Sequence, residues 1–553
     1  MTARLLRSLA ILLIALTAFF GWMHPGTLDI TNIGWALRDD WGTGVTGFNA
    51  YLKSGSWPGT YHPLMMAPEG AHLLLTDSIP LLALLVKPFA WLLPSTGVQL
   101  LGWWLLACLV LQAAFAHALV RRYAADFMTA WLGTALLVVL PALFNRYPHP
   151  SLCAHWTILW ALWVFVDERR ARQAGWWLAV IAIAGLIHSY LLLMVGAIWA
   201  SALLERLWQR DWRNAALQVV AAGLVAAVIV TLHGAIGQGY VPTHTYGAFP
   251  MALDALINPA HPGYTALLPT TPDDQGRGFE GYQYLGAGLL VVTIAAIGVR
   301  VARIAPEPRG PALRRLAWLL PAFAVLTLLA ITHGVLLHGE VLFKLPLPRA
   351  VIDALDPVRA SGRLFWPVAY TGLFAAIATI ERLKLPTARL ILASALMLQI
   401  IDIAPMLAAI RADTSEAGQA RLYRRATDPR WAALIDSASA VEFQPATDRP
   451  DQKLLAEVGW RAMLACRPMR FSYVARWSRT DRDRLASDRA AFVAGRIDPS
   501  RLYVLFPGEP VPAPLASRAR AIDGVTVIPP TVAAPPPGLC GNRRTADGSP
   551  RPL

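Results

Sequence analysis

The sequence predicts an all-α polytopic membrane protein of about 11 transmembrane helices with a small C-terminal α/β extracytoplasmic domain. Three observations predict it. The 553 residues are 56% hydrophobic and only 15% charged, where soluble domains carry about 25% charged residues. The mean hydropathy is +0.45. The basic residues sit mainly in short caps between apolar runs, as membrane topology requires of Lys and Arg. This composition excludes a disordered chain and argues against an ordinary cytosolic enzyme. The net charge of +14 belongs to those caps, so no nucleic-acid partner is expected. The 21 Trp suit the aromatic belts of a bilayer interface. Four Cys without CxxC spacing give neither a disulfide scaffold nor a structural zinc site.

The first apolar run, 5–22, follows Arg4 and Arg7 and ends in GWMHPGTLD. No small-x-small cleavage site follows, so it reads as an uncleaved signal-anchor with a cytoplasmic N-terminus. A long first outer loop covers 23–97. Its stretch 79–94 (IPLLALLVKPFAWLLP) is apolar but short and contains Lys87, so it is expected along the membrane surface or re-entrant. Further spans are expected at 98–120, 126–145, 156–168, 175–188, 190–206, 215–235, 283–302, 316–337, 364–381 and 388–405. The arginine-rich caps at 121–122, 169–172, 206–213, 300–315 and 382–389 then all fall inside, and the C-terminus falls outside. Treating 79–94 as a span would invert every later cap.

From residue 406 onward Arg and Asp become frequent and no apolar run reaches spanning length. WAALIDSASAVEF, KLLAEVGWRAML and DRLASDRAAFVAGR read as short helices; PMRFSYVARW, RLYVLF and GVTVIP read as strands. Three regions follow: a membrane domain over 1–405, an extracytoplasmic α/β domain over 406–535, and a Pro-rich, disordered tail over 536–553. Cys466 and Cys540 lie beyond residue 405, in a compartment that permits disulfides. The spacing leaves bridged and free states both open.

Candidate chemistry gathers on the outer loops. The first carries RDDW (Arg38–Trp41) and TDSIP (Thr76–Pro80), the second NRYPHPSLCAHW with His149 and His155. His188 opens HSYLLLM, a later loop carries His244, His261, Asp273, Asp274 and Tyr284, and the last holds Arg359, Ser361 and Arg363. Carboxylates, imidazoles and guanidiniums on one face suit a membrane-borne phosphate substrate. A carboxylate takes the proton of an acceptor hydroxyl, and arginines or a metal offset the charge of a departing phosphate.

Several segments resemble a bacterial multipass membrane family of unknown function that is placed near the GT-C glycosyltransferases. They are APEGAHLLLTDSIPLLALLVKPF, GWWLLACLVLQAAFAHAL, RYPHPSLCAHWTILWALW, IHSYLLLM, RASGRLFWPVAY and LQIIDIAP, spread over about 65–405. A first span followed by a long outer loop with an acidic pair is similar to the GT-C layout itself. The resemblance implies a bacterial inner-membrane glycosyltransferase, moving a hexosyl or pentosyl unit with inversion. The donor would be a polyprenyl-phosphate-linked sugar, the acceptor an extracytoplasmic envelope glycan or lipid, and the setting the bilayer. It implies Asp40 as general base, with Asp39 as runner-up, Asp77 for acceptor or metal, and Arg359 and Arg363 for donor phosphate. It leaves room for a divalent metal, Mg or Mn, and requires no other cofactor. Here the acidic pair is followed by WGTGVTGFNAY rather than the His or aromatic stretch more usual in GT-C enzymes.

Plainer readings stand beside these. Asp39 and Asp40 suit the cap of a helix N-terminus, and Asp77 before Pro80 suits an N-cap. His149 and His155 lack a zinc-like spacing and suit interfacial hydrogen bonding. His188 near a span end needs a cavity or a neighbour, and Arg359 and Arg363 can snorkel to headgroups. A lipid or glycolipid flippase and a non-catalytic envelope scaffold are the rival functions. The lack of an internal repeat weighs against the flippase.

Overall fold

A computed structural model describes residues 3–234, 239–273, 277–304, 313–447, 450–535 and 538–540. Asp274, Arg309 and most of the expected tail lie outside the described residues. The chain is mostly helical and divides into two compact units.

The first unit comprises Met1–His24, Gly102–Ala226 and Pro242–Ser415. Among the described residues, seven helices are long and apolar enough to cross a membrane: Leu5–Trp22, Leu101–Val120, Ser189–Trp208, Trp212–Leu232, Leu313–Ile331, Ser361–Ile380 and Leu385–Asp413. The other four expected spans are shorter helices, Phe127–Val138, Trp156–Phe165, Ala174–Ile187 and Ala287–Val301. A 12-residue helix is about 18 Å long, against a hydrocarbon core of about 30 Å. By length and composition, then, seven of the about eleven expected spans are each long enough to cross a membrane. Local chemistry cuts the short helices. Asp126 and Thr129 form a capping box that starts Phe127–Val138, and Pro141 opens a new turn just beyond it. His188 ends one helix and caps the next.

Buried polar side chains pin these helices together. Gln399 donates to the carbonyls of Val139 and Leu285 and accepts the amide of Leu289. Asp402, fully buried, accepts from the Tyr284 hydroxyl at 2.6 Å, the Thr265 hydroxyl at 2.5 Å and the Ala287 amide at 2.9 Å. The aspartate of LQIIDIAP therefore ties a loop to a helix, a role that needs every carboxylate lone pair engaged once it is buried.

The second unit comprises Pro25–Leu101, Ala227–Val241 and Glu416–Leu553. Its four-stranded sheet runs in the order Val441–Gln444, Leu502–Leu505, Val525–Ile528, Arg520–Ile522. The first pair is parallel and the others antiparallel. Helices Arg430–Ser437, Gln452–Leu464 and Arg479–Val493 accompany it. The expected helix WAALIDSASAVEF is a helix only to Ser437, and its end is the strand Val441–Gln444. PMRFSYVARW forms no strand beyond a bridge at Met469. Its backbone instead pairs with an earlier stretch: the Met469 amide donates to Leu64, and the Ala475 amide to Leu75. Met65, Met66 and Ala71 accordingly share one apolar core with Trp431, Phe443, Val458 and Val504. Residues 227–241 join in. Thr60 donates to the Leu232 carbonyl, and Val241 pairs with Trp477. Cys466 and Cys540 are disulfide-bonded.

The stretch 79–94 forms a short helix, Pro80–Val86, continued by a 3-10 turn, Lys87–Leu92. The Lys87 ammonium folds back onto the carbonyls of Tyr51, Leu52 and Ser54. Leu85, Phe89, Trp91 and Leu92 are left exposed.

Candidate functional site

In the first unit, two loop segments converge on a carboxylate carried by a third. Arg363 grips Glu280 with two nitrogens, at 2.7 and 2.5 Å. Arg146 donates to the same carboxylate at 2.8 Å, and His149 Nε2 lies 3.8 Å from it. The Arg146 side chain is 1% exposed, Arg363 7% and Glu280 14%. Burial pushes the Glu280 carboxyl up, but Arg363, Arg146 and then His149 outweigh it and hold it at about 2. Burial pulls Arg146 down to about 10 despite its carboxylate partner. Two guanidiniums thus share one carboxylate in a poorly solvated place.

Local backbone features build this cluster. Gly362 passes so close to Gly281 that a Cβ there would lie 2.5 Å from its Cα, and Gln283 donates to the Gly362 carbonyl at 2.7 Å. Tyr190 accepts the Ala360 amide at 2.9 Å and lies under the Arg363 guanidinium. The structure therefore joins RYPHP, the Phe279–Glu280 stretch, HSY and RASGR. Ser361 Oγ and Gln283 Oε1 are buried without a hydrogen-bond partner. In this unit His188 accepts the Tyr190 amide as a helix cap. His155 is fully buried, with Nδ1 3.0 Å from the Tyr370 hydroxyl and its ring on Trp366. Arg359 reaches Thr243 at 3.4 Å, in a turn that Asp356 organises by accepting from the Thr243 and Thr245 amides.

Asp39, Asp40 and Asp77 belong to the second unit. Asp39 and Asp40 form the first turn of helix Asp39–Lys53, and Arg38 is its N-cap. Asp77 is not an N-cap; Ile79 precedes Pro80 in that place. Gly47 seats this helix against the 76–78 turn, for a Cβ on it would lie 2.4 Å from Ser78 Oγ. Ser78 in turn donates to the Gly44 carbonyl at 2.9 Å. Asp39, Asp77 and Ile79 have φ of 47°, 52° and 48°, a left-handed region that is costly for non-glycine residues. Among the described residues no group of three or more His, Cys, Asp or Glu is arranged to hold a metal ion. Sequence reading missed Arg146, Glu280 and Tyr190; the lone acid in GFEGYQY was the one available signal.

An apolar helical body with buried, charged loop junctions and a small α/β unit is the make-up of a polytopic helical membrane protein. Residues 12–404 match the family model described as Domain of unknown function (DUF6311), and residues 430–530 match the DUF6311 C-terminal domain. The chain belongs to the DUF6311 family. No curated protein matches it.

Proposed function

We propose that the chain is a GT-C-type glycosyltransferase of the bacterial inner membrane. It moves a sugar from a polyprenyl-phosphate carrier to an extracytoplasmic envelope acceptor. The observation that carries this reading is the convergence of Arg146, Arg363 and His149 on Glu280. Glu280 already fills an anion's place, so the surrounding side chains are arranged as a phosphate group requires. Planar guanidiniums bind phosphate oxygens in pairs. In the reaction the acceptor hydroxyl gives its proton to a carboxylate, Asp40 by the resemblance, with Asp39 as runner-up. The oxygen attacks the anomeric carbon, the bond to the carrier phosphate breaks, and the polyprenyl phosphate leaves as an anion. Inversion follows from the single displacement. Strained backbone at Asp39 and Asp77 supports a role for that loop, since such strain clusters at functional sites.

Eleven crossings are favoured over seven by the make-up of the second unit. Its three segments pack together, so they lie on one side of the bilayer. Between residues 101 and 241 the long helices number three, an odd count that would send residues 227–241 to the wrong side. Including Phe127–Val138, Trp156–Phe165 and Ala174–Ile187 makes the count even. The same holds between 241 and 416 once Ala287–Val301 is included. The Cys466–Cys540 bridge supports an oxidising, extracytoplasmic side.

The test is transfer by the full chain in liposomes supplied with labelled polyprenyl-phosphate sugars and envelope extract. Asp40→Asn is expected to abolish product while expression stays normal. Arg363→Lys, which keeps charge but loses the two-nitrogen grip, is expected to raise the donor KM by roughly tenfold or more. Full activity in both Asp40→Asn and Asp39→Asn would remove the base assignment. Labelled lipid moved across the bilayer with no covalent product would make the protein a flippase instead.

A further inference from the structure

Helix Leu313–Ile331 of the first unit carries Leu320, Val325 and Leu328 exposed on its surface. Just beyond it the chain forms an antiparallel ribbon, Gly334–Leu337 against Glu340–Lys344. The ribbon is held at both ends. At its turn the His338 amide donates to Asp254 at 3.3 Å, and His338 Nδ1 lies 3.0 Å from the same carboxylate. At its base the Leu345 amide donates to the His333 carbonyl at 2.8 Å. Along its inner strand, the Leu336 carbonyl accepts the Leu253 amide at 2.8 Å.

The outer strand is unusual. Val335 and Leu336 of the inner strand are buried, but every residue of Glu340–Lys344 is exposed. A bulge at Leu342 sets Val341 opposite Leu336 and Phe343 opposite Val335, so Val341 and Phe343 stand on opposite faces of the ribbon. Val341, Leu342, Phe343 and Leu345 are each about half exposed, and Leu253 and Ile257 are exposed on the adjoining segment. A strand in water keeps its apolar residues on the one face that meets the core; this strand is apolar and uncovered on both. A protein partner seated on one face would leave the other in water, whereas fluid lipid reaches both. The open strand edge keeps the ribbon out of the hydrocarbon centre, where its amides and carbonyls would go unpaired. The headgroup–acyl boundary meets both demands. Lys344 and Arg349 are exposed beside the apolar run, where their long side chains can reach lipid phosphates.

We propose that the ribbon Gly334–Lys344 is a lipid-binding surface, seated in the headgroup–acyl boundary of the bilayer. Val341, Leu342, Phe343 and Leu345 enter the lipid chains, and Lys344 and Arg349 meet lipid phosphates. The inference needs only the membrane-protein class and stands whether or not the chain transfers sugar. It also sets the Glu280 cluster beside lipid: the Met251 amide donates to the Ala330 carbonyl, and the Gly362 amide to the Phe249 carbonyl, so one short segment borders both.

The full chain carrying Leu342→Cys or Phe343→Cys is spin-labelled and placed, one chain per disc, in nanodiscs of phosphatidylcholine and phosphatidylglycerol. Cys108 and Cys153 are buried, and the unsubstituted chain gives the background. Asp483→Cys, on an exposed position of the second unit, is the water-facing comparison. The ratio of collisions with oxygen to collisions with a water-soluble nickel chelate is expected to be roughly fivefold or more higher at both 342 and 343 than at 483. Lys344→Glu with Arg349→Glu is expected to lower the ratio at 343 about twofold at an unchanged unfolding temperature. A ratio at 342 and 343 equal to that at 483, or raised at only one of the two, would overturn the proposal. A rise seen only when two chains share a disc would assign the strand to a second copy instead. An unchanged ratio after the charge reversal would overturn the phosphate contact.

Discussion

His62 shows how a single buried side chain sets acid sensitivity. It is fully buried, and neither ring nitrogen has a hydrogen-bond partner. Burial, then the charges of His72 and Lys87, push its imidazole down to about 3. The unfolded chain therefore binds this proton more readily than the folded one. Stability is full above about pH 6.5 and falls as pH drops toward 3. Glu280, held at about 2, is also depressed, but its contribution is lost only below about pH 4.3. Thermal unfolding followed from pH 7 to 4 is expected to show a falling midpoint in the wild type. His62→Phe is expected to lessen the slope above pH 4.5, leaving the part due to His155 and His72, which burial also pushes down. An identical slope in the variant would remove His62 as the cause.

Among the elements, helix Asp39–Lys53 depends most on small residues. Gly42 lets it approach helix Gln452–Leu464 so closely that a Cβ there would lie 2.5 Å from the Ala456 Cβ. Gly42→Ala gains about 1 kcal/mol of helix propensity but forces the helices apart, at a cost of about 1–3 kcal/mol. A lowered unfolding midpoint is expected. Adding Ala456→Gly removes the clash, and the double variant is expected to recover most of the loss. Additive losses in the double variant would show that the two helices do not limit each other there. The same helix carries Asp39 and Asp40, so loosening it is also a way to disturb the acids without touching them.

At the scale of the whole molecule, the second unit constrains the membrane path. Its core unites residues near 65 with residues near 440 and 500, and its backbone pairing includes residues near 240. Reporter fusions at residues 60, 240 and 440 are expected to report the same, non-cytoplasmic side, with residue 210 on the other. Opposite sides for 60 and 240 would break both the eleven-crossing path and the proposed transferase.

The sequence by itself determined the apolar helical body, the change of character near residue 406 and the shortness of the apolar stretch 79–94, because hydropathy and charge act over local windows. It marked Arg363 and His149 by their place at span ends. It did not reveal that Glu280 joins them, since Arg146, Glu280 and Arg363 are far apart in the chain and only chain reversals bring them together. It read PMRFSYVARW as a strand from its alternation, whereas that stretch forms only a bridge to Val441 and divides its backbone hydrogen bonds between that residue and residues 64–75. Tertiary structure alone decided that residues 25–101 fold with the C-terminal region. That grouping rests on a shared core and on glycine-mediated close approach, and neither leaves a periodic mark in the sequence.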